Sequence, residues 1–395
     1  MPAATCISLS DDRDALIVGA GIGGLAAAMA LRQAGWNVRV LERAASPREL
    51  GFALALAPNA LKALREIGLA DAVRREGAEV HTFEVRRIDG RTLKRVTFPA
   101  TAADMRSVVT LRPALHGSLL AAVPPDAVLL GHEARDVNVT PAGAEVTLTD
   151  GRVLEARVLV GADGVGSAIR RHLHPSEAPP RLSGYHALRG VTFEAAHRLE
   201  HVSVAVYLGD GIEAGFARAS ATAVYWYISL VDEFAAAGAS AADVLDRCTR
   251  GMDPIAAAIA RAARPEEMRL EPLYRRDPIA AWGAGSVTLL GDAAHPVLPH
   301  TAQGAALALE DAVAIGLALR APGDPAAALR RYESVRSRRT RQVVRAGPRI
   351  AAMTTTRSRT RMFMRDTAIR LLPGIVLSGA LRLHARDPHA ALRHE

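Results

Sequence analysis

A glycine-rich stretch near the start of the chain has the residue types and spacing needed to hold a pyrophosphate. It reads Gly19-Ala20-Gly21-Ile22-Gly23-Gly24, with Glu42 and Arg43 following. The apolar run at residues 15–18 predicts a buried parallel strand. Gly19 then permits a tight turn, Gly21 lets the backbone approach a phosphate, and Gly24 lets helix and strand pack closely. Residues 25–34 predict a helix rich in Ala and Leu, stopped by Gly35. Its free N–H groups and partial positive charge attract phosphate. Residues 37–41 predict a second strand. Glu42 stands at its end, 18 residues past Gly24, the separation expected of an acid that holds a ribose diol.

Two further stretches repeat the pattern of an apolar run delivering glycine and an acid. Residues 153–160 run into Gly161-Ala162-Asp163-Gly164-Val165-Gly166-Ser167. Residues 286–290 run into Gly291-Asp292-Ala293-Ala294-His295-Pro296, which continues to Gln303-Gly304. No second G-x-G-x-x-G follows a strand, so a separate nicotinamide domain is not expected.

The elements that must position these stretches follow from pattern. A short helix is predicted at 58–67, and strands at 80–87 and 92–98 around Asp89-Gly90. Residues 108–111 predict a strand, with Arg112 and Pro113 opening a helix. Residues 137–148 and 153–160 read as two alternating strands. The segment 182–231 is mostly strand, 239–250 and 254–263 helical, and 305–319 an Ala/Leu helix. The remainder predicts Arg-rich helices. This organisation predicts an α/β protein whose dinucleotide domain is assembled from residues 13–80, 108–175 and 281–330. An inserted mixed-sheet substrate domain would comprise 81–107 and 176–280, and an Arg-rich helical segment 331–395.

Composition bounds the function. With 395 residues, 49% apolar and 23% charged, two packed subdomains are expected. The two cysteines, Cys6 and Cys248, are far apart and form no Cys-x-x-Cys. That argues against a disulfide framework, a metal site or a dithiol reductase. Asp11, Asp12 and Asp14 fit no secretory leader, and 371–381 is too short to span a bilayer. A cytoplasmic protein without an integral membrane span is the expectation, as monomer or homodimer. Residues 330–370 hold 13 Arg and two acids, more than the whole chain's net +8. Their two aromatics, Tyr332 and Phe363, are too few to interleave with them as on a nucleic-acid surface. A solvated helical face is the first reading, and a membrane-surface or partner patch the second.

Taken in this order, the three stretches resemble the FAD-dependent aromatic hydroxylases, the flavoprotein monooxygenase group that includes p-hydroxybenzoate, salicylate and 6-hydroxynicotinate hydroxylases. The likeness spans about residues 13–345, and includes Gly51 to Leu69 and Arg112-x-x-Leu115-x-x-x-Leu119. It implies a Rossmann-like, glutathione-reductase-like FAD domain of the p-hydroxybenzoate hydroxylase type. It also implies NADPH or NADH as a transient reductant, and dioxygen delivered to an aromatic or polycyclic substrate through a flavin C4a-hydroperoxide. By resemblance, Asp292 accepts hydrogen bonds from ribityl or ribose hydroxyls, Asp163 is tied to the cofactor, and Arg112 lies near its phosphates or ring. The helix opened by Gln303, Gly304 and Ala305 faces the N1–O2 edge of the flavin.

The loop Pro299-His300 lies against the flavin in this family. His300 titrates near neutrality and is the candidate base for a phenolic proton. The middle sheet should supply the opposite wall, with Arg189, Tyr207, Phe216, Arg218, Tyr225 and Tyr227 as candidates. Tyr225 and Tyr227 would share a face, with Trp226 opposite. No Ser/Tyr/Arg set matches p-hydroxybenzoate recognition, so a benzoate is not the expected substrate. An epoxidase, reductase or halogenase on the same scaffold is an alternative, as is a non-catalytic flavin-binding interaction protein. Tyr225-Trp226-Tyr227-Ile228-Ser229 does not match the halogenase Trp-x-Trp-x-Ile-Pro pattern.

Overall fold

A parallel five-stranded sheet is the frame on which the three stretches meet. The computed structural model describes residues 6–7, 12–46, 52–98, 106–199, 201–235, 238–371, 389 and 392. Gly51 and residues 372–381 lie outside these. The sheet runs Val287–Leu289, Val158–Gly161, Asp14–Val18, Asn37–Glu42, Val128–Leu130, and every pairing is parallel. Its central strand is buried on both faces, with Ala15, Leu16 and Ile17 fully enclosed. That is why its sequence is continuously apolar and does not alternate. The helix Ile22–Gln33 follows Gly21. It packs on the helix Gly304–Ala318 so closely that a Cβ on Gly316 would lie 2.8 Å from Ala30 O.

Register brings the motifs together. Val18 pairs with both Leu41 and Gly161, and Gly161 pairs with Leu289. The residues just beyond this row are Gly19, Glu42, Ala162-Asp163 and Leu290-Gly291-Asp292. All leave at the carboxyl ends of neighbouring strands, where open α/β sheets bind ligands. Backbone hydrogen bonds fix the exits: Gly19 N donates to Leu41 O, Ala162 N to Val18 O and Leu290 N to Gly161 O, at 2.7–2.9 Å.

A seven-stranded sheet draws all its strands from residues 82–97 and 181–275. Its order is Met268–Arg275, Arg181–Thr192, Val224–Val231, Ile212–Arg218, Val204–Leu208, Thr82–Arg87, Thr92–Thr97. One face packs on the helices Ala241–Thr249 and Pro254–Arg261 through Leu188, Trp226, Ile228, Val244, Cys248 and Ile259. Burial pushes the Cys248 thiol up to about 12, so it is an inert core group. The other face carries rows set by the ladder: Ala187, Ser229 and Glu213; Arg189, Tyr227 and Gly215; Val191, Tyr225 and Ala217.

Three element readings are corrected. Residues 137–148 are not one strand but a hairpin, Ala134–Thr140 and Gly143–Leu148. Pro141, lacking an N–H, helps end the first arm. Residues 153–160 are split between a four-stranded sheet (Val153–Ala156) and the parallel sheet (Val158–Gly161). Met268–Arg275, unforeseen, is an edge strand whose Arg, Glu and Pro residues hide its alternation.

The Arg-rich segment is two helices, Pro325–Thr354 and Arg359–Leu371. The first is only partly a solvated face, because Arg336 points inward and is wholly buried. Among the described residues no helix is long and apolar enough to cross a membrane.

Candidate active site

Each glycine in the first stretch has a different steric reason. Gly19 adopts φ +107°, and a Cβ there would meet Ala162 O at 2.5 Å. At Gly24 a Cβ would collide with Gly19 O at 1.9 Å, and at Gly23 with Leu290 at 2.6 Å. Gly21 differs: its backbone is extended, and a Cβ would meet nothing within 4 Å. The protein itself does not need glycine there, but a phosphate resting on the helix N-terminus does. Gly21→Ala is therefore expected to leave the melting temperature of FAD-free protein within about 2 °C, because surface changes that break no contact cost little. FAD affinity should fall tenfold or more, read by fluorescence titration. Equal affinity would remove Gly21 from the cradle.

Two side chains hold this loop in shape. Glu42 accepts hydrogen bonds from Ala20 N at 3.0 Å and Ala44 N at 2.9 Å, leaving lone pairs on both oxygens. His116, from the helix Arg112–Ala122, is buried with Nε2 2.8 Å from Ala20 O. Arg43 is exposed beside Glu42.

The second stretch braces the third. Asp163 Oδ2 accepts from Ala168 N at 2.7 Å, while Oδ1 is buried and receives no hydrogen bond from a described residue. Burial raises the Asp163 carboxyl above its usual range. Arg170, fully buried, donates to Ala293 O and Ala294 O at 3.0 and 2.9 Å and is neutralised by Glu177.

The third stretch is locked from behind. Asp311 accepts from Gly291 N at 3.0 Å, His295 Nε2 at 2.5 Å and Arg336 Nε at 2.7 Å. Arg336 also pairs with Glu310 at 2.7 Å, and Arg339 with Glu310 at 2.9 Å. Asn59 spans Gln303 Oε1 and Glu310 Oε1 at 3.1 and 2.7 Å. The sequence reading gave none of these to Asn59, His116, Arg170 or Arg336. Of these, Asn59 lies within the Gly51 to Leu69 stretch of the family resemblance, and His116 at an unspecified position of the Arg112-x-x-Leu115-x-x-x-Leu119 pattern.

Asp292 stands free of that lock. Its side chain is accessible, yet the surrounding protein raises its carboxyl above the usual range, opposed by the charges of His295 and Arg112. The half-buried Arg112 lies near enough for its charge to act on that carboxylate. Gln303 is buried, and Gly304 and Ala305 begin the helix that follows it. A buried Asp163 oxygen lacking a donor, open space at Gly21 and a reachable Asp292 beside Arg112 together fit a dinucleotide with sugar and phosphate groups.

Asp292→Ala is expected to weaken FAD binding about ten- to a hundredfold, the worth of one or two hydrogen bonds to a charged group. The ratio of flavin to protein absorbance after gel filtration checks it. Full occupancy would show that Asp292 does not hold the cofactor.

The loop Pro299–Thr301 carries His300 to the seven-stranded sheet. His300 Nε2 and Ser229 Oγ share a hydrogen bond at 2.7 Å, and Tyr185 packs edge-on at 5.5 Å. His300 Nδ1 is buried and has no partner among the described residues. Burial holds the imidazole below 6.5, an effect that Arg189 reinforces and Glu213 partly offsets. Tyr225 and Tyr227 lie on this same face with rings 6.2 Å apart, and Arg189 is 3.8 Å from Glu271. Pro299 is exposed at the loop's start. Tyr207, Phe216 and Arg218 are not in this group, since strand alternation puts them on the opposite face. There Tyr207 and Phe216 are core residues with rings 5.6 Å apart. Sequence reasoning also missed Glu213, whose signal was a lone acid in an apolar strand.

The chain is similar to known flavoproteins. The FAD binding domain family matches residues 12–347. A 3-amino-4-hydroxybenzoate 2-monooxygenase of Streptomyces platensis is 34% identical, covering 83% of this chain and 85% of that one. The aurachin C monooxygenase/isomerase of Stigmatella aurantiaca is 30% identical, covering 90% and 94%. The structure of Klebsiella pneumoniae HpxO complexed with FAD and uric acid has a TM-score of 0.87 at 26% identity, over 94% of this chain and 96% of that one. A salicylate hydroxylase substrate complex shares the fold, with a TM-score of 0.80 at 20% identity over 96% and 97%. The chain belongs to the FAD-dependent aromatic hydroxylases, and is an NAD(P)H-dependent flavoprotein monooxygenase.

Proposed function

We propose that this monooxygenase hydroxylates a phenolic or hydroxypyridine-like ring held between the Glu213–Tyr227–Ser229 face and the His300 loop. One observation carries the reading. His300 is fixed at Nε2 by Ser229, while Nδ1 stays open in a buried site that disfavours the imidazolium. With Nε2–H donated to Ser229, Nδ1 presents its lone pair and can take the proton of a ring hydroxyl. Removing that proton makes the ring carbon more nucleophilic.

FAD bound in the cleft supplies the activation of dioxygen that no side chain can perform. The chain's own residues bind and orient. Gly19, Gly21, Gly23 and Gly24 receive the pyrophosphate at the helix N-terminus, and Glu42 and Asp292 accept sugar hydroxyls. Asp163, Arg43 and Arg112 complete the cofactor's surroundings. The N-terminus of Gly304–Ala318 offers N–H groups to negative charge on the ring. Tyr225, Tyr227 and Arg189 wall the substrate, and Pro299 sets the loop that carries His300. We assign residues 13–80, 108–175 and 281–330 to the FAD domain and 81–107 with 176–280 to the substrate domain.

The test is a screen of phenols and hydroxypyridines for stimulated NAD(P)H consumption, with product mass measured. A product heavier by one oxygen is expected. Protein that stays colourless when FAD is supplied would overturn the reading, as would reductant consumption that yields only peroxide with every ring.

A further inference from the structure

The substrate wall contains a carboxylate with an unfilled hydrogen-bond position. Glu213 lies in Ile212–Arg218, directly opposite Ser229 in the ladder, and is 4% exposed. Tyr227 donates its hydroxyl to Glu213 Oε1 at 2.7 Å. Burial and then the Glu213 charge raise the Tyr227 hydroxyl well above 10, so it remains a donor at neutral pH. Glu213 Oε2 is buried and receives no hydrogen bond from a described residue. Arg189, one row along the same face, lies instead 3.8 Å from Glu271.

A buried carboxylate oxygen without a donor is costly, and folded proteins rarely keep one without a use. Here a second open atom sits close by. Ser229 bonds His300, and Cβ atoms of residues directly opposite across a ladder are about 5 Å apart. Glu213 and His300 therefore both border Ser229, and the Glu213 charge acts on the imidazole. One atom only accepts a hydrogen bond. The other can accept a ring hydroxyl's proton.

We propose that Glu213 is a substrate-recognition residue that selects a ring bearing an N–H or O–H donor beside the hydroxyl to be deprotonated. The ligand class is an amino-substituted phenol or a hydroxylated N-heterocycle. A ligand that puts a carboxylate at this point meets like charge and is excluded. A ligand without the donor leaves Oε2 unpaired, the situation in which polar sites discriminate most strongly. The proposal rests on the reading of this cavity as the substrate site.

The test uses FAD-loaded protein and Glu213→Gln, with dissociation constants from perturbation of the flavin spectrum. The probes are 2-aminophenol and catechol, each against 2-methoxyphenol, and salicylate. Wild type should favour the donor member of each pair at least tenfold. In Glu213→Gln that preference should shrink to threefold or less and salicylate should gain at least tenfold, with FAD content unchanged. Preferences that are the same in both proteins would overturn the proposal, as would wild type binding salicylate best. Where no probe binds, the melting temperature of the ligand-free holoprotein decides. Glutamine still accepts from Tyr227 and removes the buried charge, so an equal or higher value is expected. A fall of several degrees would show Glu213 to be a structural anchor and overturn the proposal. Oxygen insertion is scored separately by product mass, so its failure leaves these affinity ratios standing and is recognised as failure of the functional reading alone.

Discussion

His300→Ala should lower the rate of product formation about a hundredfold or more, the usual worth of a positioned general base. FAD content should not change, because His300 reaches toward Ser229 on the sheet and not toward the glycine loops. The pH profile supplies the second check. Burial lowers the imidazole below its ordinary 6.5. The neutral base therefore predominates throughout the neutral range, and the wild-type rate should fall only on acidification below that value. The variant should lose this acid limb while keeping any limb that belongs to the substrate. Steady-state rates from pH 5 to 9, with product quantified, provide the measurement. An unchanged rate, or the same acid limb in both proteins, would remove His300 from the chemistry.

Arg336→Leu should cost about 3–5 kcal/mol of stability, the range for breaking a buried ion pair by removing one partner. Asp311 and Glu310 would be left as neighbouring buried carboxylates with too little positive charge. Burial tends to raise both, and in wild type their charged neighbours more than offset it, so both are held below their usual range. Groups so depressed contribute stability above the unfolded-state value that disappears as pH falls through the folded-state value. Without the cation both should titrate higher, so the deficit relative to wild type should shrink on acidification toward pH 4. Urea melts at pH 7.5 and pH 4 give both numbers. The exposed neighbour is the control, since Arg338→Ala should change stability by less than about 0.5 kcal/mol. A loss below about 1 kcal/mol for Arg336→Leu would mean that the network is solvated.

The parts legible in the sequence were those fixed by local chemistry. A strand followed by Gly19-x-Gly21-x-x-Gly24 admits few structures, and the acid at Glu42 lies where the next strand must end. The alternation of Tyr225, Trp226 and Tyr227 gave the two faces of the middle sheet. Tyr207 and Phe216 were misread because facing depends on register between strands, which one strand does not reveal. Arg336 could not be told from the other arginines in its segment, since its partners Glu310 and Asp311 arrive by tertiary packing. The same holds for Arg170 and His116, which bond backbone carbonyls, groups every residue possesses. Glu213 was the avoidable miss, since a charged residue between Ile212 and Ala214 already violates the rule that strand interiors are apolar.

The lock on the third stretch has a consequence for biosynthesis. The first glycine of the glycine-rich loop emerges at residue 19, but Gly291 is clamped by Asp311, and Asp311 by Arg336 on a much later helix. Domains generally fold as units behind the ribosome. The clamp on Gly291 is therefore completed only after residue 336 has been made, so a chain that terminates before residue 336 is expected to hold the third stretch, and any flavin beside it, less firmly.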